Sequence, residues 1–344
     1  MSKQLAIVAL IIMLLTVTQA TIVAQDDDRV FTPQQLALIS QVEASLAEQA
    51  TWQSYRVLQI DAQNYRERVI VTEGTVFENH QSITSVINIA YDANPHTSEL
   101  HYNSDALLTV EVLSNSDFGN GIQLSENYEV VVNARYYDGR LYIQALRNGG
   151  SENLAPMPDL TWHDVTENPN QFEALQGINL RRFLPDPPPI MSSNPVFGID
   201  FIGIVNSPLF LELISDIELV SEGDVILNGA GAEVTTRQIL ITFDPIRVLA
   251  AAFSGVIGRE RLIAAFANDD AEMTLTLWLD TTTSRRVFEQ YVFGIRGTPN
   301  PLLVGYGLND LEPDGSVQLT YSYTSDILFA DINIPITILP PDIR

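Results

Sequence analysis

Met273-Thr274-Leu275-Thr276-Leu277-Trp278-Leu279-Asp280 alternates apolar and polar side chains over the length of a strand, and beyond Thr281 to Ser284 it is answered by Arg285-Arg286-Val287. A period of two puts Met273, Leu275, Leu277 and Leu279 on one face and Glu272, Thr274, Thr276 and Trp278 on the other. One buried face and one wet face is the mark of an antiparallel sheet, since strands of a parallel sheet are covered on both sides and run continuously apolar. The same alternation recurs outward along the chain. Tyr128, Val130, Val132, Ala134 and Tyr136 oppose Glu129, Asn133 and Arg135. Asp138-Gly139 then supplies the hairpin turn into Leu141, Ile143 and Ala145. Val317, Leu319, Tyr321 and Tyr323 alternate with Gln318, Thr320, Ser322 and Thr324, and Ile332, Ile334, Ile336 and Ile338 read as a closing strand. From Trp52 to about Arg147 short strand-like runs are separated by turn signals.

Helices are announced by Thr32-Pro33, Ser207-Pro208 and Asp244-Pro245. In each, a capping side chain precedes a proline at the first helical position, where its missing N–H is not needed. The first helix runs to about Gln49 and is expected to bury Leu36, Ile39, Val42 and Leu46. The third is expected through Phe266, with Ile246, Leu249, Ala250, Phe253 and Ile257 inward and an interruption at Gly258. Around Leu209 to Ile214 the chain is apolar all round and fits a short helix or a buried strand. Residues of about 148–200 are rich in Pro, Asn and Asp and include Pro185-Asp186-Pro187-Pro188-Pro189. They read as an irregular insertion within one domain, or alternatively as a linker between two. One domain is the stronger reading, because neither half has helix enough to cover its own sheet.

Lys3, the apolar run Leu5 to Leu15 and Thr18-Gln19-Ala20 have the layout of an export signal, with Ala24 as a second cleavage point. The expected division is a signal peptide at 1–24 and one domain at 25–344, with an extracytoplasmic location: periplasm, cell envelope or outside the cell. The apolar run is short of the roughly 20 residues of a membrane span, and an uncleaved N-terminal tether is the alternative. No cysteine follows the signal to carry a lipoprotein anchor.

Charge and composition exclude whole classes of chemistry. The 344 residues carry a formal charge of −25 with no cysteine, and Lys3 is the only lysine. A phosphate-cradling loop lacks its lysine, and neither a thiolate nor a Schiff base can form. Nucleic acid is excluded as a partner because such binding rests on basic groups displacing counterions. A polybasic grip on an anionic membrane surface is excluded on the same ground. Arg181-Arg182 and Arg285-Arg286 are the only adjacent basic pairs.

The order helix, antiparallel meander, insertion, strand pair, helix, final strands carries a family resemblance. Its particulars are Trp52-Gln53-Ser54-Tyr55 after the first helix, Glu218 to Asp224, and Gly229 to Ile239 leading to Phe243-Asp244-Pro245. To these are added the Met273 to Val287 unit and the close from Tyr321 to Pro340. The chain resembles the LolA-type lipid carriers, above all their LppX/LprG branch, over about residues 33–147 and 205–341. The resemblance implies an α+β fold in which a strongly curved antiparallel β-sheet, a half-barrel, wraps around a few helices. It implies an apolar cavity that holds acyl chains, each CH₂ removed from water being worth about 0.8 kcal/mol, and hence a lipid or lipoprotein carrier with no cofactor and no catalytic residue. The partner is then a lipid or acylated ligand. Cavity candidates are Val130, Val132, Ala134, Leu249, Phe253, Leu275, Leu277, Leu319 and Tyr321. The same residues would equally build a filled core, and a non-enzymatic envelope interaction module is the alternative. Two departures stand out: the branch's lipobox cysteine is missing, and the 148–200 insertion is long, fit to cap or fill the cavity.

Other candidate chemistry is thin. His80, His96, His101 and His163 have no metal-type spacing. Trp162-His163-Asp164 resembles a dyad, but the likeness to the LolA-type carriers implies a packed aromatic there, and no Gly-x-Ser-x-Gly elbow exists. Asp310, Glu312, Asp314 and Gly315 imitate a calcium loop, yet Tyr321 stands where its bidentate Glu belongs. Glu222-Gly223-Asp224 and Asp269-Asp270 read as turns.

Overall fold

The computed structural model describes residues 31–49, 51–72, 75–93, 102–118, 121–151, 154–168, 171–172, 175, 210–228, 231–252, 259–268, 270–298 and 316–342. Backbone contacts divide the chain into residues 1–36 and 37–344. The expected signal at 1–24, with its boundary, lies outside the described residues. So do His96, His101, Arg181-Arg182, the calcium-like run and Phe253. Among the described residues no helix is long and apolar enough to cross a membrane.

The described residues from 37 onward are built on one eleven-stranded sheet. Its strands are β1 (Ser54–Thr72), β2 (Thr75–Ala93), β3 (Tyr102–Asp117), β4 (Gln123–Tyr137), β5 (Arg140–Gly149), β6 (His163–Asp164), β7 (Ile214–Leu227), β8 (Glu233–Phe243), β9 (Glu272–Asp280), β10 (Arg286–Gly297) and β11 (Ser316–Ala330). Their order is β6-β5-β4-β3-β2-β1-β11-β10-β9-β8-β7. Every ladder is antiparallel. Among the described residues the helices are few: α1 (Pro33–Gln49), α2 (Phe210–Leu213), α3 (Pro245–Ala252) and α4 (Arg259–Phe266). The antiparallel sheet with few helices is the class the alternating sequence demands. The meander expected between Trp52 and Arg147 consists of five long strands rather than many short ones.

Directly paired residues share a face, so the ladders can be followed across the sheet. Leu219, Ile239, Leu277, Glu289, Ile327, Gln59, Ile87, Leu108, Val132 and Ala145 form one row from β7 to β5. All but the half-buried Leu219 are buried. This is the covered face. The other face carries Leu107, Val86, Ile60 and Leu146, each more than a third exposed.

Local chemistry explains the element ends. Thr32 and Gln35 form a reciprocal cap, Gln35 N donating to Thr32 Oγ1 at 3.2 Å and Thr32 N to Gln35 Oε1 at 2.9 Å. Asp244 Oδ1 accepts from Ile246 N and Arg247 N at 2.9 and 3.2 Å and starts α3. Asp138 and Gly139 both take positive φ, 49° and 81°, as the two-residue hairpin turn requires.

The structure corrects several expectations. In α1 the buried residues are Leu38, Val42 and Ser45, while Leu36 is exposed. The buried stripe is offset from the most apolar one because a polar group, Ser45, has a partner inside. Ile246 is likewise exposed, and α3 buries Val248 and Leu249. The expected third helix is described as two pieces, α3 and α4. α2 is a single turn that hands over to β7 at Ile214. Glu222-Gly223-Asp224 is a bulge inside β7, where the register shifts, and Gly223 takes φ 95°. Residues Ile332 to Ile338 form no strand. Asp331 and Asn333 turn the chain at positive φ, Pro335 and Pro340 withhold donors, and Ser54 Oγ binds the Ile334 carbonyl at 2.6 Å. The insertion contributes to the core: Val165 and Leu175, with Met157 and Phe172, pack on the covered face of β2–β5.

Gly297 ends β10 beneath α4. A Cβ there would lie 2.1 Å from the Ala265 carbonyl oxygen and 2.8 Å from the Phe266 ring. Backbone cannot yield as a side-chain tip can, so Gly297→Ala should destabilise by about 1–3 kcal/mol. A denaturation midpoint equal to the parent's would contradict this packing.

Candidate functional site

Eight of the nine cavity candidates fall within the described residues. Val130, Val132 and Ala134 on β4, Leu275 and Leu277 on β9, and Leu319 and Tyr321 on β11 are all buried, and pairing puts the strand residues on the covered face. Leu249 on α3 is buried too. They do not form one group. Val130, Val132 and Ala134 belong to the cluster closed by Val165, Leu175, Met157 and Phe172. Leu275, Leu277, Leu319 and Tyr321 sit on the other half, beyond β1.

Between the two apolar halves lies a polar seam. In the row traced above, the residues of β10 and β1 are Glu289 and Gln59. In the next row the chain of partners runs Ile217, Ile241, Leu275, Tyr291 and Ser325 from β7 to β11. Ser85 on β2 joins the seam from the far side, paired with β1 in that register. Glu289, Tyr291, Ser325, Gln59 and Ser85 are all buried. Gln59 Nε2 donates to Tyr323 OH at 3.2 Å and to Ser325 Oγ at 3.1 Å.

The charged centre of the seam is Arg286 with Glu289. Three residues apart on a regular strand, they would point to opposite faces. A bulge between Arg286 and Phe288 changes the parity, so that Arg286 pairs with Leu279 and Glu289 with Leu277 on the same face. Arg286 Nη1 then meets Glu289 Oε1 at 2.6 Å, the two side chains being 2% and 3% exposed. Tyr291 OH donates to Glu289 Oε2 at 2.8 Å. Arg286 Nε donates to Ser45 Oγ at 3.2 Å, and Ser45 Oγ donates to the Val42 carbonyl at 2.7 Å. Among the described residues Arg286 Nη2 meets no acceptor. Burial, and then the Glu289 carboxylate beside it, push the Tyr291 phenol well above its ordinary value.

Two more arginines tie α1 to this end of the sheet. Arg285 Nε meets Glu48 Oε1 at 2.7 Å, and Glu48 Oε2 accepts from Trp52 Nε1 at 2.6 Å. Arg237 pairs with Glu222 and donates to Gln41 Oε1. The Arg285-Arg286 pair, one of the two adjacent basic pairs in the sequence, is thus engaged with the protein's own carboxylates. Pattern reasoning missed Glu289 and Gln59 because strict alternation hides a bulge. The available signal was polarity: a Glu and a Gln fall in phase with apolar neighbours.

Trp162-His163-Asp164 is not a dyad. His163 Nε2 faces Asp159 Oδ1 at 2.7 Å, and its ring packs edge-on against Phe172 at 5.0 Å. Asp164 instead pairs with Arg140 and Thr166. The Thr166 hydroxyl, first, and the Arg140 guanidinium hold its carboxyl below the usual range. His80 lies beside Glu67 and Glu78 at 3.8 and 3.6 Å. No group of three or more metal-type side chains occurs among the described residues.

No protein family matches the sequence, and no curated protein does. A solved structure of a β-barrel-like protein of the domain of unknown function DUF1849 from Brucella abortus is 8% identical. The alignment covers 78% of this chain and 97% of that one at a TM-score of 0.18. A Francisella PdpA-VgrG complex, half-lidded, is 9% identical over 91% of this chain and 63% of that one, at a TM-score of 0.13. Likenesses this slight carry no argument.

Two variants test the seam. Glu289→Gln leaves the Arg286 charge buried without its counter-ion and should lower stability by about 3–5 kcal/mol; urea titration measures it, and a loss below about 1 kcal/mol would show the pair to be hydrated. Tyr291 is held neutral in the folded state, whereas unfolded tyrosine ionises near pH 10. Its stabilisation is therefore complete below about pH 10 and declines as pH rises beyond it. Tyr291→Phe should flatten the alkaline limb of the stability curve, and an unchanged limb would remove the assignment.

Proposed function

We propose that the protein is an exported carrier of acyl-chain ligands, with the half-barrel arrangement of the LolA and LppX/LprG carriers. The observation that supports this reading most is the covered face. A sheet eleven strands wide keeps one face apolar on both sides of a polar seam, far more sheet than the few helices among the described residues need for a partner. Burying hydrocarbon needs only such a surface, at about 25 cal/mol for each Å² removed from water. No residue is assigned a catalytic role.

The two halves take different parts. The face of β2–β5 is closed by the insertion through Val165, Leu175, Met157 and Phe172. We assign the acyl chain to the face of β8–β11, which carries Leu275, Leu277, Leu319 and Tyr321. The filling of β2–β5 also favours a second reading, in which the whole face is core and the protein is a non-enzymatic envelope interaction module.

Native mass spectrometry and solvent extraction of the exported protein separate the two readings. The carrier is expected to hold hydrocarbon-bearing molecules or, once stripped, to take up a dye-labelled acyl chain in a one-to-one ratio. Empty protein that also refuses the dye-labelled chain would leave the filled core as the account.

A further inference from the structure

Among the described residues the polar seam contains one donor that meets no acceptor, Arg286 Nη2. Arg286 is 2% exposed. Its Nε and Nη1 are engaged by Ser45 and Glu289. Buried guanidinium groups in folded proteins have their N–H groups met by protein, water or ligand. Arg286 shares its face of the sheet with acyl-face residues: Leu279 is its ladder partner, and Leu277 and Leu275 follow along the same face of β9.

Charge decides what the donor can take. Arg286 is already neutralised by Glu289, and the hydrogen of Tyr291 OH points to the same carboxylate. The nearby arginines are matched as well, Arg285 by Glu48 and Arg237 by Glu222. A carboxylate or phosphate brought to Nη2 would leave one uncompensated negative charge in the interior of a chain that already carries −25. An uncharged oxygen adds no charge and satisfies the donor.

We infer that Arg286, held by Glu289 and Ser45, is a specificity-determining residue that binds the uncharged acceptor oxygen of the ligand, an ester or amide carbonyl at the head of the acyl chain. This rests on the carrier reading and sharpens it, since it assigns the head of the ligand to the seam and the tail to the face of β8–β11. It also excludes free fatty acids and anionic lipids as preferred cargo.

The test uses the exported protein stripped of ligand and loaded with a dye-labelled acyl chain. Three competitors of one chain length are compared: an alkane, the free acid at a pH where it is ionised, and its methyl ester. The ester should displace the dye at a concentration about tenfold lower than either of the others, the effect of one hydrogen bond from a charged donor. The double variant Arg286→Met, Glu289→Met removes donor and counter-ion together, so that no lone charge is buried. It should bind the alkane as before and lose the preference for the ester. Equal competition by all three, as when a fixed water occupies Nη2, overturns the inference and leaves the carrier reading standing. So does an ester preference that survives in the double variant, or a preference for the acid. If no acyl compound binds, the carrier reading fails and takes this inference with it. Should the double variant not fold, the competitor series on the unaltered protein decides alone.

Discussion

The pairing of β1 with β11 is the constraint on which the rest of the structure depends. It runs from Arg56 opposite Ala330 to Val71 opposite Ser316 and joins strands more than 240 residues apart in sequence. Without it the chain would carry two separate sheets, β6 to β1 and β11 to β7, each ending in a long unpaired edge of the kind that invites aggregation. With it, the outermost strands are β6, only two residues long, and β7, which is broken by register shifts at three places. Both are poor templates for a further strand. The closure also sets the order of events in folding: local hairpins such as β4–β5 can form early, while this ladder must wait for a long loop to close.

The polar seam lies where that closure occurs. Glu289 and Tyr291 on β10, Ser325 on β11, Gln59 on β1 and Ser85 on β2 occupy the covered face where the two halves of the sheet meet. A one-residue slip between β1 and β11 would turn Gln59 and Ser325 to opposite faces and strand their hydrogen bonds. Apolar side chains alone tolerate many arrangements. Buried polar partners tolerate few, because each unsatisfied group costs free energy. The seam thus gives the long-range junction a specific register. Through Arg286 and Ser45 it also ties the helix before β1 to the strand next to β11.

Much of this was legible in the sequence. Strands such as β4, β9 and β11 alternate cleanly because one face of the sheet is covered and the other wet, and the caps at Thr32 and Asp244 and the turn at Asp138-Gly139 follow from local chemistry. What escaped the pattern did so for identifiable reasons. The bulge at Val287 changes the parity of β10, so Arg286 and Glu289 read as facing apart. Ser45 is polar, so the stripe it shares with Leu38 and Val42 looked weaker than one through Leu36. The isoleucines from Ile332 to Ile338 alternate as a strand does, but Pro335 and the left-handed Asp331 and Asn333 leave them no ladder. The strand residues among the cavity candidates lie on the covered face, and Val130, Val132 and Ala134 are packed by the insertion, which alternation cannot foretell because a filled core and a greasy pocket ask for the same residues.

A cysteine pair across the closing ladder tests the account most directly. The chain has no cysteine, so Leu58→Cys with Leu328→Cys introduces the only two thiols. They lie directly opposite each other on the open face, where paired Cβ atoms stand roughly 4.5–5.5 Å apart. Brief oxidation or a short bismaleimide should join them within one molecule in nearly all of the folded protein. The pairing of Leu58→Cys with Ile327→Cys, on opposite faces, should stay unlinked. Free thiols in the first variant, or equal linking in both, would contradict a single sheet closed between its first and last strands in this register.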